Sequence, residues 1–427
     1  MIISIRVNNF LVYANKTEMS LIADMRIKKF YSNVYQQNNF NVVKAACIYG
    51  GNNVGKTCVI RAINSIRNVL LGIVAEVPPN LFTNNNLCLL GISFLFEGKA
   101  YSYDFGFDST ITNQYKRGFV YERLAEITVD KYGTESEKEI YIRDMVNNVY
   151  KFADNEELNV LLKAVSPDNI LIYTINSEKF PIIEYYKNIL RSFAFKIEVL
   201  DANNIPLGKT IQTLKENKEI GNRIVELIKL ADLDIEDYKY VKSDNESVKR
   251  NPNIYQYSAP QEQVLQLTVA FEDMLRLTSI HKGKPVQSLI YDSTGTKKMV
   301  SLASFIIEAL EEGKILIVDE LDSSLHFKLT RAIISLFNNE LNSKAQIIFS
   351  AHDGTLLDCK KLFRKDQIWF AAKNDEGAYL YSLKDYTAHK DNVRSESDLL
   401  EKYKLGALGA LPEPDLISIL LGDSADE

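Results

Sequence analysis

The sequence of 427 residues lacks long runs of apolar residues. Its longest apolar stretches, such as residues 69–75 and 315–318, are far shorter than the roughly 20 residues that a membrane-spanning helix needs. The N-terminal stretch "MIISIRVNNF" also lacks the charged region followed by an apolar one that a secretory signal requires. We therefore expect a cytoplasmic protein that has no membrane partner.

Cysteine is scarce, and basic residues do not outnumber acidic ones. Cys47, Cys58, Cys88 and Cys359 show no C-x-x-C spacing, so they predict neither a zinc site nor a disulfide framework, and buried thiols are the simpler interpretation. The net charge is −6 and the pI is near 5.6. This balance argues against a basic surface that coats nucleic acid on every side, but it leaves a local basic patch open.

A phosphate-binding loop pattern is present near the N-terminus. Residues 50–57 read "GGNNVGKT", between an apolar strand over residues 45–49 and an apolar-periodic helix over residues 54–71. In this context the loop N–H groups and the helix N-terminus are expected to hold phosphate oxygens. The residues predicted to bind nucleotide here are Gly50, Asn52, Asn53, Gly55, Lys56 and Thr57. Lys56 would reach the β- and γ-phosphates of ATP, and the Thr57 hydroxyl would be a ligand of Mg²⁺.

A second half of the nucleotide site is indicated in the C-terminal third. Four apolar residues, 315–318, stand directly before Asp319 and Glu320. A buried parallel strand that ends in a carboxylate is how phosphate-loop folds present a group to Mg²⁺. We predict that Asp319 serves the metal and that Glu320 is the catalytic residue that polarises the attacking water. The strand predicted in "QIIFSAHD" ends at His352, which we interpret as a catalytic sensor of the γ-phosphate.

A helix with a second anion-binding corner is predicted between these two motifs. Apolar residues recur on one face from about Lys298 to Glu312, and Gly313 is expected to end the helix. Ser293 and Gly295 would lie just before its N-terminus, where backbone N–H groups favour anions. The order of phosphate loop, Ser-x-Gly corner, Asp-Glu strand and His strand is that of an ABC-type ATPase.

The remaining regions carry no nucleotide motif. From Leu87 to about Asp144, aromatic and β-branched segments separated by turns such as "EGK" predict antiparallel strands. Apolar residues then recur at helical spacing up to about residue 250. Beyond it, strands are predicted at "QVLQLTVAF", which also fits a helix, and at "PVQSLIYDS", and a β-hairpin is predicted at "QIWFAAKNDEGAYLYSLKDY".

These motifs, with "IRVNNF", "VYERL" and "YDSTGTKK", resemble those of the ABC ATPases of the SMC, RecF and OLD class, and within them the AbiLi-like abortive-infection ATPases of bacterial defence loci. The resemblance covers nearly the whole chain. By position, Ser293 and Gly295 match the nucleotide-binding signature, Asp322 matches the dimer-contact loop, and His352 matches the switch histidine. Thr294 stands where most ABC signatures have glycine, and no glutamine is assigned to the loop that joins the β-subdomain.

The resemblance implies an α/β fold, namely a phosphate-loop ATPase head with an antiparallel β-subdomain and an inserted, mainly helical lobe. The head would occupy residues 1–150, with the phosphate loop and the β-subdomain, and residues 251–390, with the signature, the acidic strand and the switch histidine. The helical lobe would occupy residues 151–250. Residues 391–427 would form a tail.

The implied function is slow ATP hydrolysis, with ATP and Mg²⁺ as cofactors, by a homodimer or larger homo-oligomer of heads. The expected role is the ATPase and sensor component of a bacterial antiphage system that controls a separate effector protein, such as a nuclease. The alternative is a RecF- or SMC-like DNA-repair ATPase, which would need a basic groove for nucleic acid on the heads. A transporter subunit is disfavoured by the insertion of roughly 235 residues between loop and signature.

Overall fold

The computed structural model describes residues 1–108, 110, 118–130, 133–153, 155–176, 178–201, 205–231, 234–241, 274–387 and 397–410. The segment "QVLQLTVAF", for which a strand was predicted, and most of the predicted tail lie outside the described residues. The described strands, numbered in chain order, are β1 (Ile2–Asn8), β2 (Thr17–Ser20), β3 (Val34–Gln37), β4 (Phe40–Val43), β5 (Ala45–Tyr49), β6 (Leu87–Phe96), β7 (Lys99–Asp108), β8 (Phe119–Val129), β9 (Glu135–Asp144), β10 (Val149–Phe152), β11 (Ile197–Asp201), β12 (Asp237–Tyr240), β13 (Leu277–His281), β14 (Lys284–Gln287), β15 (Ile315–Asp319), β16 (Gln346–Ser350), β17 (Ile368–Asn374) and β18 (Gly377–Ser382). The described α-helices are α1 (Lys56–Leu71), α2 (Glu156–Ala164), α3 (Leu171–Thr174), α4 (Pro181–Phe195), α5 (Gly208–Glu216), α6 (Lys218–Leu230), α7 (Ser288–Tyr291), α8 (Thr294–Glu312), α9 (Phe327–Asn338) and α10 (Leu399–Lys404).

A six-stranded sheet carries the nucleotide motifs, in the strand order β11-β15-β16-β5-β17-β18. Its first five strands are parallel, and β18 pairs antiparallel with β17 at one edge. Strands β5 and β16 are buried along their whole length, which explains why β5 and the centre of β16, residues 347–349, read as continuous apolar runs. Because parallel strands end at the same edge of a sheet, the loops after β5, β15 and β16 meet there.

Helices cover both faces of this sheet. Ala46 and Ile48 of β5 pack in the cluster that includes α1, whereas Ala45, Cys47 and Tyr49 pack in the cluster that includes α8 and α9. Successive side chains of a strand point to opposite faces, so a central strand between two helix layers carries apolar residues on both of its faces. The α/β prediction is therefore confirmed.

The antiparallel β-subdomain predicted from Leu87 to Asp144 is also confirmed. It is a seven-stranded sheet in the order β10-β9-β8-β7-β6-β1-β2. Glu97 and Gly98 have φ angles of 48° and 82°, as the two central residues of a tight hairpin turn between β6 and β7 require. Phe193 of α4 stacks on Phe94 of β6 with ring centroids 3.8 Å apart, so the first helices after this sheet pack against it.

Residues 151–250 are mainly helical where described, from α2 to α6, but β11 within them joins the nucleotide-binding sheet beside β15. The sequence did not predict β11, because five residues carry too little periodicity to distinguish a strand from the surrounding helices. The division of the chain into four segments stays a prediction. The hairpin predicted near residue 370 is confirmed as β17 and β18.

The prediction of a strand at "PVQSLIYDS" is wrong for the second half of this segment. Only its first residues belong to β14, and the chain then forms the single turn α7. Ser288 explains the change, because its hydroxyl contacts Tyr238 and Asp292 while its carbonyl accepts the Asp292 N–H at 3.0 Å. Among the described residues, no helix is both long enough and apolar enough to cross a bilayer.

Candidate nucleotide-binding site

The phosphate loop connects the end of β5 to the start of α1. Gly50, Asn53 and Gly55 have φ angles of 151°, 61° and 112°, so the loop turns sharply before the helix begins. A Cβ atom on Gly50 would lie 2.4 Å from the carbonyl oxygen of Ala371, and one on Gly55 would lie 2.9 Å from Cγ2 of Val12. Both positions therefore require glycine for space as well as for backbone conformation. Helix α1 starts at Lys56 because Gly55 is left-handed, two residues later than predicted.

Lys56 lies inside the loop with a buried side chain. Its Nζ donates hydrogen bonds to the carbonyl oxygens of Gly50 and Gly51, at 2.8 and 2.7 Å. Burial lowers the pKa of Lys56 below its ordinary value, and the nearby carboxylates at the ends of β15 oppose that shift. An ammonium held by neutral carbonyl oxygens is well suited to exchange them for the charged oxygens of a phosphate.

Ser350, at the end of β16, connects the two predicted acidic residues. Its Oγ donates to Oδ1 of Asp319 at 2.5 Å and accepts the backbone N–H of Glu320 at 2.8 Å. Glu320 has a φ angle of 52°, a left-handed conformation that is unfavourable for a residue with a side chain. The hydrogen bond from the Glu320 N–H to Ser350 thus helps to hold a strained residue in place. Ser350 was not predicted from the sequence, although its position at a strand end beside His352 was a usable signal.

Glu320 and His352 approach each other on neighbouring strand ends. Oε1 of Glu320 lies 3.4 Å from Nε2 of His352, and the two side chains are 37% and 39% exposed. Oδ2 of Asp322 accepts the backbone N–H groups of His352 and Asp353, at 2.8 and 2.5 Å. Asp322 therefore fixes the histidine loop of its own chain, and its predicted role as a dimer contact stays a prediction.

A cavity of about 340 Å³ brings most of these side chains together. It is lined by Val12, Asn52, Asn53, Gly55, Lys56, Thr57, Cys58, Arg61, Glu320 and His352. Seven of these ten residues were predicted from the sequence, and Val12, Cys58 and Arg61 were not. Arg61 follows Thr57 by one turn of α1, so helical spacing was the signal that could have identified it.

The donor set at this cavity suits Mg²⁺. Thr57 offers a hydroxyl inside the cavity, and Asp319 offers a carboxylate at the adjoining strand end. Among the described residues, no group of three or more His, Cys, Asp or Glu side chains is arranged to hold a metal ion. A cation here would thus take most of its ligands from phosphate oxygens and water, as Mg²⁺ does in nucleotide sites.

Ser293 and Gly295 border a different cavity, of about 660 Å³, together with Ser324 and residues of α6 and α9. Ser293 is the N-cap of α8, and its Oγ accepts the Thr296 N–H at 3.1 Å. The helix consequently begins at Thr294, a turn earlier than predicted, and Gly295 lies within its first turn. The capping hydrogen bond outweighs the weak helix propensity of threonine and glycine here. Gly313 ends α8 as predicted.

Gly295 packs closely against the loop that follows β15. A Cβ atom at this position would lie 2.6 Å from the carbonyl oxygen of Ser324. Within one chain, the structure therefore joins the Ser-x-Gly corner to the loop of the acidic residues and not to the phosphate-loop cavity. Gly50, Asp319 and Asp322 do not line the phosphate-loop cavity either. They contact Lys56, Ser350 and the backbone of His352, respectively.

The fold has a parallel sheet with a phosphate loop after one strand, acidic residues after another and an antiparallel subdomain beside it. This arrangement defines a phosphate-loop nucleotide-binding fold. The sequence comparison specifies the family. A family model described as "AAA domain, putative AbiEii toxin, Type IV TA system" matches residues 45–358, more than two thirds of the chain. The chain belongs to this family.

Comparison with curated proteins found no match. Solved structures similar to this chain include an SMC head domain from Thermotoga maritima, with 10% identity, a TM-score of 0.40, and coverage of 89% of this chain and 98% of that chain. A second is an SmcHead bound to the C-winged helix domain of ScpA, with 12% identity, a TM-score of 0.42, and coverage of 89% and 97%. A third is an Smc head domain with an extended coiled coil, bound to the C-terminal domain of ScpA derived from Pyrococcus furiosus, with 13% identity, a TM-score of 0.38, and coverage of 94% and 99%.

Proposed function

We propose that this protein binds and hydrolyses ATP in a dimer of heads, in which the signature corner of each chain completes the phosphate-loop cavity of the other. The supporting observation is the separation of the two half-sites within one chain. Glu320 and His352 line the cavity of Lys56, whereas Ser293 and Gly295 border another cavity. Two copies related by a twofold axis would place each half-site against its complement.

In this proposal the phosphate loop binds the triphosphate. Lys56 exchanges the carbonyl oxygens of Gly50 and Gly51 for oxygens of the β- and γ-phosphates, while the loop N–H groups and the start of α1 face the same negative charge. Thr57 and Asp319 would hold Mg²⁺, which neutralises charge on the phosphates and orients them.

Glu320 then acts on the attacking water. Its backbone is fixed by Ser350, and its carboxylate lies beside the imidazole of His352 at the cavity wall. A carboxylate in this place accepts a proton from the water as the water oxygen attacks the γ-phosphorus. The bond from that phosphorus to the β–γ bridging oxygen breaks and ADP leaves, while His352 contacts the γ-phosphate from the next strand end. Removing a positioned base of this kind typically slows a reaction about 10²- to 10⁴-fold.

We further propose that hydrolysis serves an AbiLi-like abortive-infection system in the bacterial cytoplasm, in which this chain is the sensor and a separate protein is the toxic effector. The family description, which includes a putative AbiEii toxin, supports the link to an abortive-infection system, and the separate effector is our own inference.

The decisive experiment for ATP hydrolysis compares the purified wild type with Glu320→Gln. The variant should lose about 10²- to 10⁴-fold in kcat and should accumulate ATP-bound dimers in size-exclusion chromatography, because the amide keeps the shape but cannot accept the proton. Glu376→Gln, in the exposed turn between β17 and β18, is the matched control and should behave as wild type. Equal hydrolysis by wild type and Glu320→Gln would contradict the proposal.

The effector hypothesis is tested by incubating the purified protein with DNA and with RNA. We expect no cleavage of either. Metal-dependent cleavage that persists in the double variant Lys56→Ala, Glu320→Ala would contradict a separate effector. Salt-dependent DNA binding that is lost when a surface lysine cluster is neutralised would instead favour the DNA-repair alternative.

A further inference from the structure

The loop from Glu320 to Ser324 is held by groups on two sides. On one side, Ser350 accepts the Glu320 N–H, and Asp322 accepts N–H groups of the loop after β16. On the other side lies the first part of α8, where Gly295 packs on the carbonyl of Ser324. The signature helix and the loop of the proposed catalytic base are thus in direct contact within one chain.

Lys298, one turn into α8, contacts three carbonyl oxygens of this loop. Its side chain is buried, with the residue only 7% exposed. Its Nζ donates to the carbonyl oxygens of Glu320 at 3.2 Å and Leu321 at 3.1 Å, and it also contacts the carbonyl oxygen of Ser323. All three acceptors belong to one stretch of four residues, so a single ammonium fixes the direction of that backbone.

We propose that Lys298 is a positioning residue that sets the backbone of the Glu320 loop against the signature helix of the same chain. It acts through Glu320 and does not contact the nucleotide. The inference rests on the proposed ATP hydrolysis, because it assigns the positioned loop a role in that reaction.

A packing role alone does not account for these contacts. Placing an ammonium in the protein interior costs free energy unless its three N–H groups are satisfied, and an apolar side chain of similar length would pack α8 as well. Burial lowers the pKa of Lys298 to about 8, while Asp322, Glu320 and Asp201 favour its charged form. The ammonium therefore stays largely protonated at neutral pH, and its hydrogen bonds to the three carbonyls are charge-assisted.

The test compares Lys298→Met with Lys298→Arg and with the control Lys297→Met. Lys297 is the neighbouring residue of α8 and makes no side-chain hydrogen bond or ion pair within the described part of the chain. Lys298→Met should lower kcat about 10- to 100-fold, the range expected for loss of hydrogen bonds to a charged group. KM for ATP and the increase in Tm caused by Mg·ATP should stay as in the wild type. Lys298→Arg should recover part of kcat, because it keeps the charge and several donors.

A mixed dimer distinguishes a positioning role of Lys298 from a general loss of stability in the Lys298→Met variant. One chain carries Ser293→Arg and supplies Lys56 and Glu320 of the working site, and its partner carries Lys56→Ala and supplies the signature. Adding Lys298→Met to the first chain should remove most of the hydrolysis. Adding it to the second chain should remove little.

Equal losses from either placement, or a wild-type kcat for Lys298→Met, would overturn the inference. If Lys298→Met does not fold, Lys298→Gln replaces it, and a kcat equal to wild type would again overturn the inference. Failure of the proposed function has a different outcome: the wild type itself would not hydrolyse ATP, or Glu320→Gln would hydrolyse it normally.

Discussion

Two variants that are inactive alone should restore hydrolysis when mixed. Lys56→Ala removes the ammonium of the phosphate loop, and Ser293→Arg places a bulky cation at the start of α8. In the proposed dimer, each change disables one half-site and leaves the other half-site of the same chain intact, because Lys56 and Ser293 line separate cavities. A dimer of one chain of each kind would contain one complete site, with the phosphate loop and Glu320 from the Ser293→Arg chain.

The size of the recovery follows from this arrangement. Random exchange of subunits in an equimolar mixture makes roughly half of the dimers mixed, and each mixed dimer has one working site of two. The expected rate is therefore about one quarter of the wild-type rate per chain. A lower value would mean that one site depends on the occupation of the other.

The assay is phosphate release after the variants have been incubated together under conditions that allow subunit exchange. Ser293→Ala is the control for folding, since it loses the cap hydrogen bond from the Thr296 N–H, worth about 1 kcal/mol, and the hydrogen bond between the Ser293 and Thr296 hydroxyls. Adding Glu320→Gln to the Ser293→Arg chain should abolish the recovery, whereas adding it to the Lys56→Ala chain should not. No recovery on mixing, or a full rate from a strict monomer, would refute the trans arrangement.

Three further results are expected. Lys56→Ala should fold normally but lose the increase in Tm that Mg·ATP gives the wild type, because the lysine acts chiefly on the ligand. Gly295→Ala should lower kcat more than ATP affinity in a steady-state assay, since its new Cβ would lie 2.6 Å from a carbonyl oxygen of the acidic loop. Glu122→Gln should lower the free energy of unfolding by about 3 kcal/mol in urea titrations, because it leaves buried Arg143 without its charged partner at 3.1 Å.

Each of these results has a contrary outcome that is easy to recognise. An equal Mg·ATP shift in Lys56→Ala and wild type would remove the phosphate-loop assignment. Thr294→Ala, on the exposed side of the same helix turn, should hardly affect kcat, and a loss as large as that of Gly295→Ala would contradict the close-packing argument. An unchanged urea midpoint for Glu122→Gln would mean that its bonds to Tyr103, Tyr141 and Leu171 outweigh the ion pair.

The sequence by itself determined the features that depend on near neighbours in the chain. The phosphate loop and the strand and helix around it follow from glycines, one lysine and the apolar periodicity of fewer than 30 residues. The antiparallel sheet follows from alternating strands and from the "EGK" turn, whose two left-handed residues require a tight hairpin. Local chemistry decides these elements, and therefore a local pattern is enough to predict them.

Only the tertiary structure decided which of these residues meet. The order β15-β16-β5 places Glu320 and His352 against the phosphate loop from strands that are far apart in the chain, and it places Ser293 elsewhere. Ser350 and Lys298 were not recognised, because their roles lie in hydrogen bonds to residues 22 to 31 positions away. Such bonds depend on the pairing of strands and on helix packing across the sheet, which no periodicity within one segment encodes.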